Sequence, residues 1–411
     1  METTIIQLQK DTDRPTKLES TATRTTHKQL IISDFRMKWV HFWLKLSLVK
    51  IGMTCYGNPF DGIRALRYLI LLRRRFLGDN KLQKMVYAGG KYYMGLFTPG
   101  WNSAVYKRFI ISQLNDFKPV SRGVVNRFNT VFLAITKKCA LQCEHCYEWD
   151  NLNKKEVLTN QKLLAIVQKL QKKGASQIHL SGGEPLLKMD TLIYILEQAE
   201  RSTDFWILTS GFKLNATNAK RLKDAGLTGA IISLDHFIPE KHNAFRRFKD
   251  SFYWVEEAVE NAKNSDLVTA LSLCATKDFI SEDNLMAYME LAKKLGVSFV
   301  QLLEPKAVGH YANEDVLLRV EDIKILEDFF LKMNFNKEYE SFPIITYHGY
   351  YQRRQGCYSA GIKGMYVDTD GDMNACPFCH KKTGNVLDKC FENNLETMRS
   401  EGCSSYKIKT Q

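Results

Sequence analysis

Three cysteines, Cys139, Cys143 and Cys146, stand in the run Thr136-Lys-Lys-Cys-Ala-Leu-Gln-Cys-Glu-His-Cys-Tyr147, spaced C-x3-C-x2-C. Three thiolates on one loop can hold three irons of a [4Fe–4S] cube and leave the fourth iron without a protein ligand. An iron left open is a place for chemistry, whereas a closed four-cysteine site mostly stores or passes electrons. The same thiolates could instead hold zinc with a fourth donor such as His145. The apolar stretch Val131-Phe-Leu-Ala-Ile135 just before the loop is predicted to be a β-strand, so the cysteines follow its C-terminal end.

A second strand, Gln177-Ile-His-Leu-Ser181, runs into Gly182-Gly-Glu-Pro185. Alone, that run reads as a tight turn before a helix. It also lets backbone approach a ligand closely and offers a carboxylate or carbonyl to an ammonium. Further strands are predicted at Phe205–Thr209, Gly229–Ser233, Leu267–Leu273 and Val297–Leu303. They alternate with helical patterns near 160–173, 190–200, 216–225, 251–264 and 283–295. Six βα steps predict an α/β fold, a parallel sheet rolled into a partial (β/α)6 TIM-like barrel, with ligands where the strands' C-terminal ends meet the loops. Ser233-Leu-Asp-His236 and Glu304-Pro-Lys-Ala-Val-Gly309 lie at such ends.

The C-terminal quarter holds Cys357, Cys376, Cys379, Cys390 and Cys403. Met365-Tyr-Val-Asp and Asp372-Met-Asn-Ala flank an Asp370-Gly371 turn, a strong hairpin signal. Cys376-Pro-Phe-Cys379 would suit a zinc ribbon as well as an iron–sulfur cluster. Cys55 and Cys274 stand alone and are expected to be small buried apolar groups.

The cysteine run resembles the signature of the radical S-adenosylmethionine (SAM) enzymes, C-x3-C-x-Φ-C, with His145 at the usually aromatic position. The resemblance spans about residues 128–403 and rests on three motifs in order. It implies that Cys139, Cys143 and Cys146 hold the catalytic [4Fe–4S] cluster, whose open iron binds SAM. An electron then cleaves the sulfonium to a 5′-deoxyadenosyl radical, which removes a substrate hydrogen atom. Gly182, Gly183 and Glu184 correspond to the family's GGE motif, which contacts the SAM ammonium. Ser233 and Arg246, in Ser233-Leu-Asp-His236 and His242-Asn-Ala-Phe-Arg246, match a stretch that often contacts SAM; Arg can bind its carboxylate in a fork. Asp235 could face the substrate instead. The tail resembles SPASM and twitch extensions, which implies a second [4Fe–4S] cluster held by Cys357, Cys376, Cys379 and Cys403, with Cys390 a spare or substitute. A full SPASM domain has more cysteines, for two clusters; five support one.

Ten cysteines without a secretory pattern at Met1-Glu-Thr-Thr argue against a disulfide framework and for a reducing, cytoplasmic setting. No apolar run approaches a membrane span. Charge is uneven. Residues 1–130 contain 22 Lys+Arg and 8 Asp+Glu, leaving 36 and 37 for the rest of the chain. In this basic region Arg36–Lys50 has apolar residues at 39, 42, 43, 46 and 49, a helical face, and Ile63–Arg75 is a second basic, apolar helix. Met85–Phe97 reads as a hairpin turning at Gly89-Gly90. The region suits a helical subdomain packed on the barrel with solvated basic faces. It also suits a peripheral membrane contact, or docking of an acidic partner such as a precursor peptide. No nucleic-acid motif is visible.

The expected organisation is a disordered tail (1–30), a basic N-terminal subdomain (31–127), the barrel core (128–310), a helical linker (311–350) and an auxiliary-cluster domain (351–411). The expected function is that of a radical SAM enzyme fed electrons by a flavodoxin- or ferredoxin-type protein. A ribosomal peptide is the first substrate guess and a small metabolite or lipid-linked molecule the second. The alternative is a non-catalytic zinc- or iron–sulfur-binding scaffold.

Overall fold

The computed structural model describes residues 29–120 and 128–407. The expected tail over 1–30 lies almost wholly outside the described residues, as do residues 121–127 at the end of the expected N-terminal subdomain. The chain enters through strand β1 (Leu30–Ser33), helices α1 (Asp34–Tyr56) and α2 (Pro59–Leu77), strands β2 (Lys84–Ala88) and β3 (Lys91–Tyr93), and helix α3 (Ala104–Asn115). Strands β1, β2 and β3 form a small antiparallel sheet, and β2 and β3 turn at Gly89-Gly90 as the sequence predicts.

The main sheet begins with β4 (Thr130–Ala134). It continues through α4 (Asn160–Lys172), β5 (Gln177–Ser181), α5 (Met189–Gln198), β6 (Asp204–Thr209), α6 (Ala216–Ala225) and β7 (Leu227–Ser233). Next come α7 (Pro239–Arg246), α8 (Ser251–Asn264), β8 (Val268–Cys274), α9 (Glu282–Leu295) and β9 (Phe299–Leu303). Neighbouring strands pair in parallel in sequence order, which is the expected α/β, TIM-like succession; the sheet stays open. Polar caps start its helices: Thr159, Asn215 and Ser281 accept from the backbone N–H of Lys162, Asn218 and Asn284.

Segment 311–350, expected to be a helical linker, departs from that reading. It holds α10 (Val320–Phe335) and then β10 (Ile344–Tyr347), a seventh parallel strand paired with β9. Asn334 fixes the strand by exchanging two side-chain hydrogen bonds with the Ile345 backbone. After α11 (His348–Gln355), strand β11 (Gly364–Val367) joins the opposite edge in parallel with β4. The predicted Asp-Gly hairpin then leads into β12 (Asp372–Cys376), and β13 (Cys379–Asn385) and α12 (Phe391–Glu401) complete the tail.

Strand alternation divides the core in two. Outward residues such as Leu133, Leu180, Ile207, Ile232 and Leu271 pack under the helices. Inward residues Trp206, Ile231, Ala270, Phe299 and Ile344 meet Val86, Ala88, Tyr93 and Leu96, so the N-terminal sheet packs into the concave face. Lys84 secures this insertion. It is fully buried, and its ammonium donates to the Tyr339 and Pro343 carbonyls at 2.9 and 3.1 Å.

The hairpin of α1 and α2 leaves most of the predicted apolar face outward. The buried residues of α1 are Met37, Val40, Leu44, Leu48, Ile51 and Cys55. Trp39, Phe42, Trp43 and Leu46, four of the five residues picked out by periodicity, point outward, while Val49 is half-buried. Cys55 and Cys274 are buried as expected.

Burial pushes Lys84 down to about 7. Below that pH both states carry the proton and the cost of burial is constant. Between about 7 and the usual lysine range only the unfolded chain holds it, so stability rises with pH by up to ~1.4 kcal/mol per unit. The difference in unfolding free energy between wild type and Lys84→Met, measured by denaturant titration, should be flat below pH 7 and rise above it. Parallel curves would mean that Lys84 keeps its proton in the fold.

Candidate active site

The cysteine loop leaves the C-terminal end of β4 and is held by few contacts. Thr136 Oγ1 and Lys137 N both donate to Glu156, at 2.6 and 3.0 Å, and Lys188 pairs with the same carboxylate at 2.5 Å. Asn153 clasps Cys139 by accepting from its N–H and donating to its carbonyl, at 3.1 and 3.0 Å. His310 N donates to the Cys146 carbonyl, and His310 Nδ1 lies 2.9 Å from the Cys143 carbonyl. Asn153, Glu156 and His310 went unread in the sequence because no motif marks them.

The Gly182-Gly183 turn lies directly on this loop. Gly183 N donates to Thr136 O and Glu184 N to Lys138 O, both at 2.8 Å. A Cβ on Gly182 would stand 2.4 Å from Thr136 O, and one on Gly183 would stand 2.2 Å from Lys138 O. The glycines therefore serve a close backbone approach, as their chemistry suggested, and the backbone they admit is that of the cysteine loop.

Glu184 is buried with both carboxylate oxygens engaged. Oε1 accepts from Thr209 Oγ1 and Leu186 N; Oε2 accepts from Ser210 N and Ser210 Oγ, at 2.6–3.0 Å. Burial raises its pKa and these donors pull it back. In this arrangement Glu184 orients the loop after β6.

Arg246 forks a carboxylate, as its chemistry predicts, but the carboxylate is that of Asp235. Nε and Nη2 reach Asp235 Oδ2 at 2.6 and 2.5 Å, while Nη1 donates to Cys143 Sγ at 3.4 Å. Both residues are buried. Burial alone would raise Asp235, but Arg246, His145 and His242 together hold it below the usual carboxylate range. Asp235, offered above as a substrate-facing group, is taken up by this pair and by the N–H of Cys274. Ser233 ends β7 half-buried, opposite Ser272 of β8.

The loop thiols neighbour one another. Burial raises Cys146 to about 12, and Cys139 and Cys143 are also raised. Cys143 adds to the rise at both Cys139 and Cys146. The tail thiols do likewise. Burial raises Cys376 to about 12, and Cys357, Cys379 and Cys403 push it in the same direction. Cys376 and Cys379 face each other across the β12–β13 turn. Cys390 is exposed at the start of α12, outside this group. None of the ten cysteines is in a disulfide.

The donor set fits iron–sulfur clusters. Buried thiols need a nearby cation to give up their protons, and bound metal supplies it. Among the described residues no three His, Cys, Asp or Glu side chains converge on one ion-sized point. The separate irons of a cube do not require that they do. His145, the alternative zinc donor, lies against the Phe245 ring at 4.9 Å.

Comparison with known proteins agrees with this geometry. The model of the radical SAM superfamily matches residues 133–281. GTP 3′,8-cyclase from Campylobacter jejuni is 30% identical over 228 residues, which span 54% of this chain and 69% of the cyclase. The probable GTP 3′,8-cyclase of Methanocaldococcus jannaschii is 32% identical over 191 residues, 44% of this chain and 62% of that protein. SuiB of Streptococcus suis, solved with its precursor peptide SuiA, has a TM-score of 0.52 at 12% identity, covering 70% of this chain and 67% of SuiB; that likeness is one of fold. An α/β fold with a mostly parallel sheet and this match define an enzyme that works with an iron–sulfur cluster. The chain belongs to the radical SAM superfamily, and its cofactors are a [4Fe–4S] cluster and SAM.

Removing Arg246 would leave the buried Asp235 without its cation. Arg246→Met should destabilise the chain by about 3–5 kcal/mol, and Arg246→Met with Asp235→Leu should recover much of the loss. Chemical denaturation of the cluster-free chain measures both, and equal losses in the single and double variants would show that the unpaired Asp235 carboxylate is not the source of the cost.

Proposed function

We propose that Cys139, Cys143 and Cys146 hold the cluster at which SAM is cleaved, and that Cys357, Cys376, Cys379 and Cys403 hold a second one. The carrying observation is the gathering of these seven thiols into a group of three and a group of four, with Cys390 apart. A three-cysteine cluster with SAM bound supplies one-electron cleavage to a 5′-deoxyadenosyl radical, which a four-cysteine cluster has no open iron to support. The protein's part is placement. Gly182 and Gly183 pin the cysteine loop, and Glu184 sets the loop after β6. Arg246 donates to the Cys143 sulfur, a lever on cluster potential. Ser233 lies at the strand end where a SAM contact is expected.

The substrate follows the relatives first. Two are named for cyclisation of GTP, so a purine nucleotide is the first substrate to assay. The peptide reading draws on the tail's resemblance, and the likeness to SuiB adds only fold. A flavodoxin- or ferredoxin-type donor would supply the electron.

Anaerobically prepared enzyme should hold about eight irons for two cubes and, given SAM and dithionite, release 5′-deoxyadenosine. Cys139→Ala should abolish cleavage and lose about half the iron. Zinc in place of iron, with no cleavage after reconstitution, would favour the scaffold alternative. Addition of GTP, and separately of candidate peptides, should couple 5′-deoxyadenosine release to consumption of the true substrate.

Glu184→Ala should weaken SAM binding in equilibrium titration while iron content is retained. Unchanged affinity would remove Glu184 from the SAM site.

A further inference from the structure

Helix α1 is apolar on two opposite faces. One is buried in the N-terminal subdomain. The other carries Phe35, Trp39, Phe42, Leu46 and Met53, which are 77, 57, 55, 46 and 40% exposed. At 100° per residue these five fall within one outward arc. Lys38 and Lys45 flank it on one side, Arg36 and Lys50 on the other. Trp43 sits beside it, in edge contact with Trp39 and Phe42 at 5.7 and 5.6 Å. On α2, Phe60 at 78% and Leu71 at 56% are similarly exposed. Proteins that stay in water rarely show so large an apolar strip without a partner for it.

The charge around the strip selects the partner. Helices α1 and α2 contain nine Lys and Arg residues, all exposed, and two acidic residues. Both acidic groups are already paired, Asp34 with Lys337 and Asp61 with Lys118 and Arg64. A second copy of this chain would bring like charge against like. The cores of protein interfaces are depleted in lysine, whereas here basic side chains border the strip along most of its length. Aromatic residues in the middle with Lys and Arg reaching outward on both sides match a helix in the headgroup layer of an anionic membrane. No helix among the described residues is long and apolar enough to cross a membrane.

We propose that the outward face of α1, with the exposed end of α2, docks on an anionic lipid surface and lies along it. The contact uses no residue of the cysteine loop or tail, so it can be tested apart from catalysis.

The test is co-sedimentation of the full-length, cluster-loaded enzyme with vesicles. The vesicles are phosphatidylcholine alone, or equal parts phosphatidylcholine and phosphatidylglycerol. Binding is expected to the phosphatidylglycerol vesicles at low salt, reduced by added salt, and absent on phosphatidylcholine alone. Trp39→Ser with Phe42→Ser and Leu46→Ser should lower partitioning by roughly tenfold or more while SAM cleavage without vesicles is unchanged. Lys38→Glu with Lys45→Glu and Lys50→Glu should lower it similarly and remove the salt dependence, which keeps the proposal testable if the serine variant folds poorly. Failure of the wild type to bind phosphatidylglycerol vesicles would overturn the proposal, as would equal binding by both variants. A change of oligomeric size in the serine variant with vesicle binding intact would assign the face to a second copy.

Discussion

The site depends on the contact between two turns that have no side chain between them. Gly182 and Gly183 bring the end of β5 onto the backbone of Thr136 and Lys138, and two hydrogen bonds close the gap. A loop bearing three cysteines has little regular structure of its own, so its shape must come from neighbours. Here β5 supplies that shape, and β5 is itself in register with β4, residue for residue from Thr130–Gln177 to Ala134–Ser181. The motif glycines thus act first on the protein, and any ligand meets a loop already fixed.

Charge is handled the same way, by pairs set before a cofactor arrives. A lone buried carboxylate at Asp235 or guanidinium at Arg246 would be costly; together they satisfy each other and still leave one N–H for Cys143. Glu184 pairs with no cation among the described residues and relies on four hydrogen-bond donors instead. The two acidic groups therefore differ in kind. One is ion-paired and held below the usual range, while the other is raised by burial and only partly restored.

What was legible in the sequence is what is encoded locally. Cysteine spacing, the Gly-Gly turn, the Asp-Gly hairpin and the alternation of strands and helices from β4 to β9 each depend on a short stretch of chain. Three features were hidden for physical reasons. Strand β10 is only four residues, follows Pro343 and takes its place by pairing with β9, so no period announces it. The fork of Arg246 was readable, but which of several carboxylates it would take is a matter of tertiary distance. Helix α1 has two apolar faces with one period, and periodicity cannot say which is buried; packing against α2 and α3 decides it.

Sheet register also relates the two thiol groups. Strand β11 runs beside β4 with Gly364 opposite Thr130, and β12 runs back along β11 from the Val367–Met373 pair. Cys376, two residues beyond the Tyr366–Asn374 pair, is thus level with the start of β4, while the cysteine loop begins beyond its end. Four residues of strand separate those levels, about 13 Å along the strand axis. Tyr147, next to Cys146, meets Phe378, between Cys376 and Cys379, at 6.0 Å and also touches Tyr366 at 5.9 Å. Lys137 pairs with Asp370 at the hairpin turn, tying the upper ends together. The hairpin of the tail is therefore a continuation of the sheet, and strand pairing ties Cys376 and Cys379 to the edge beside β4.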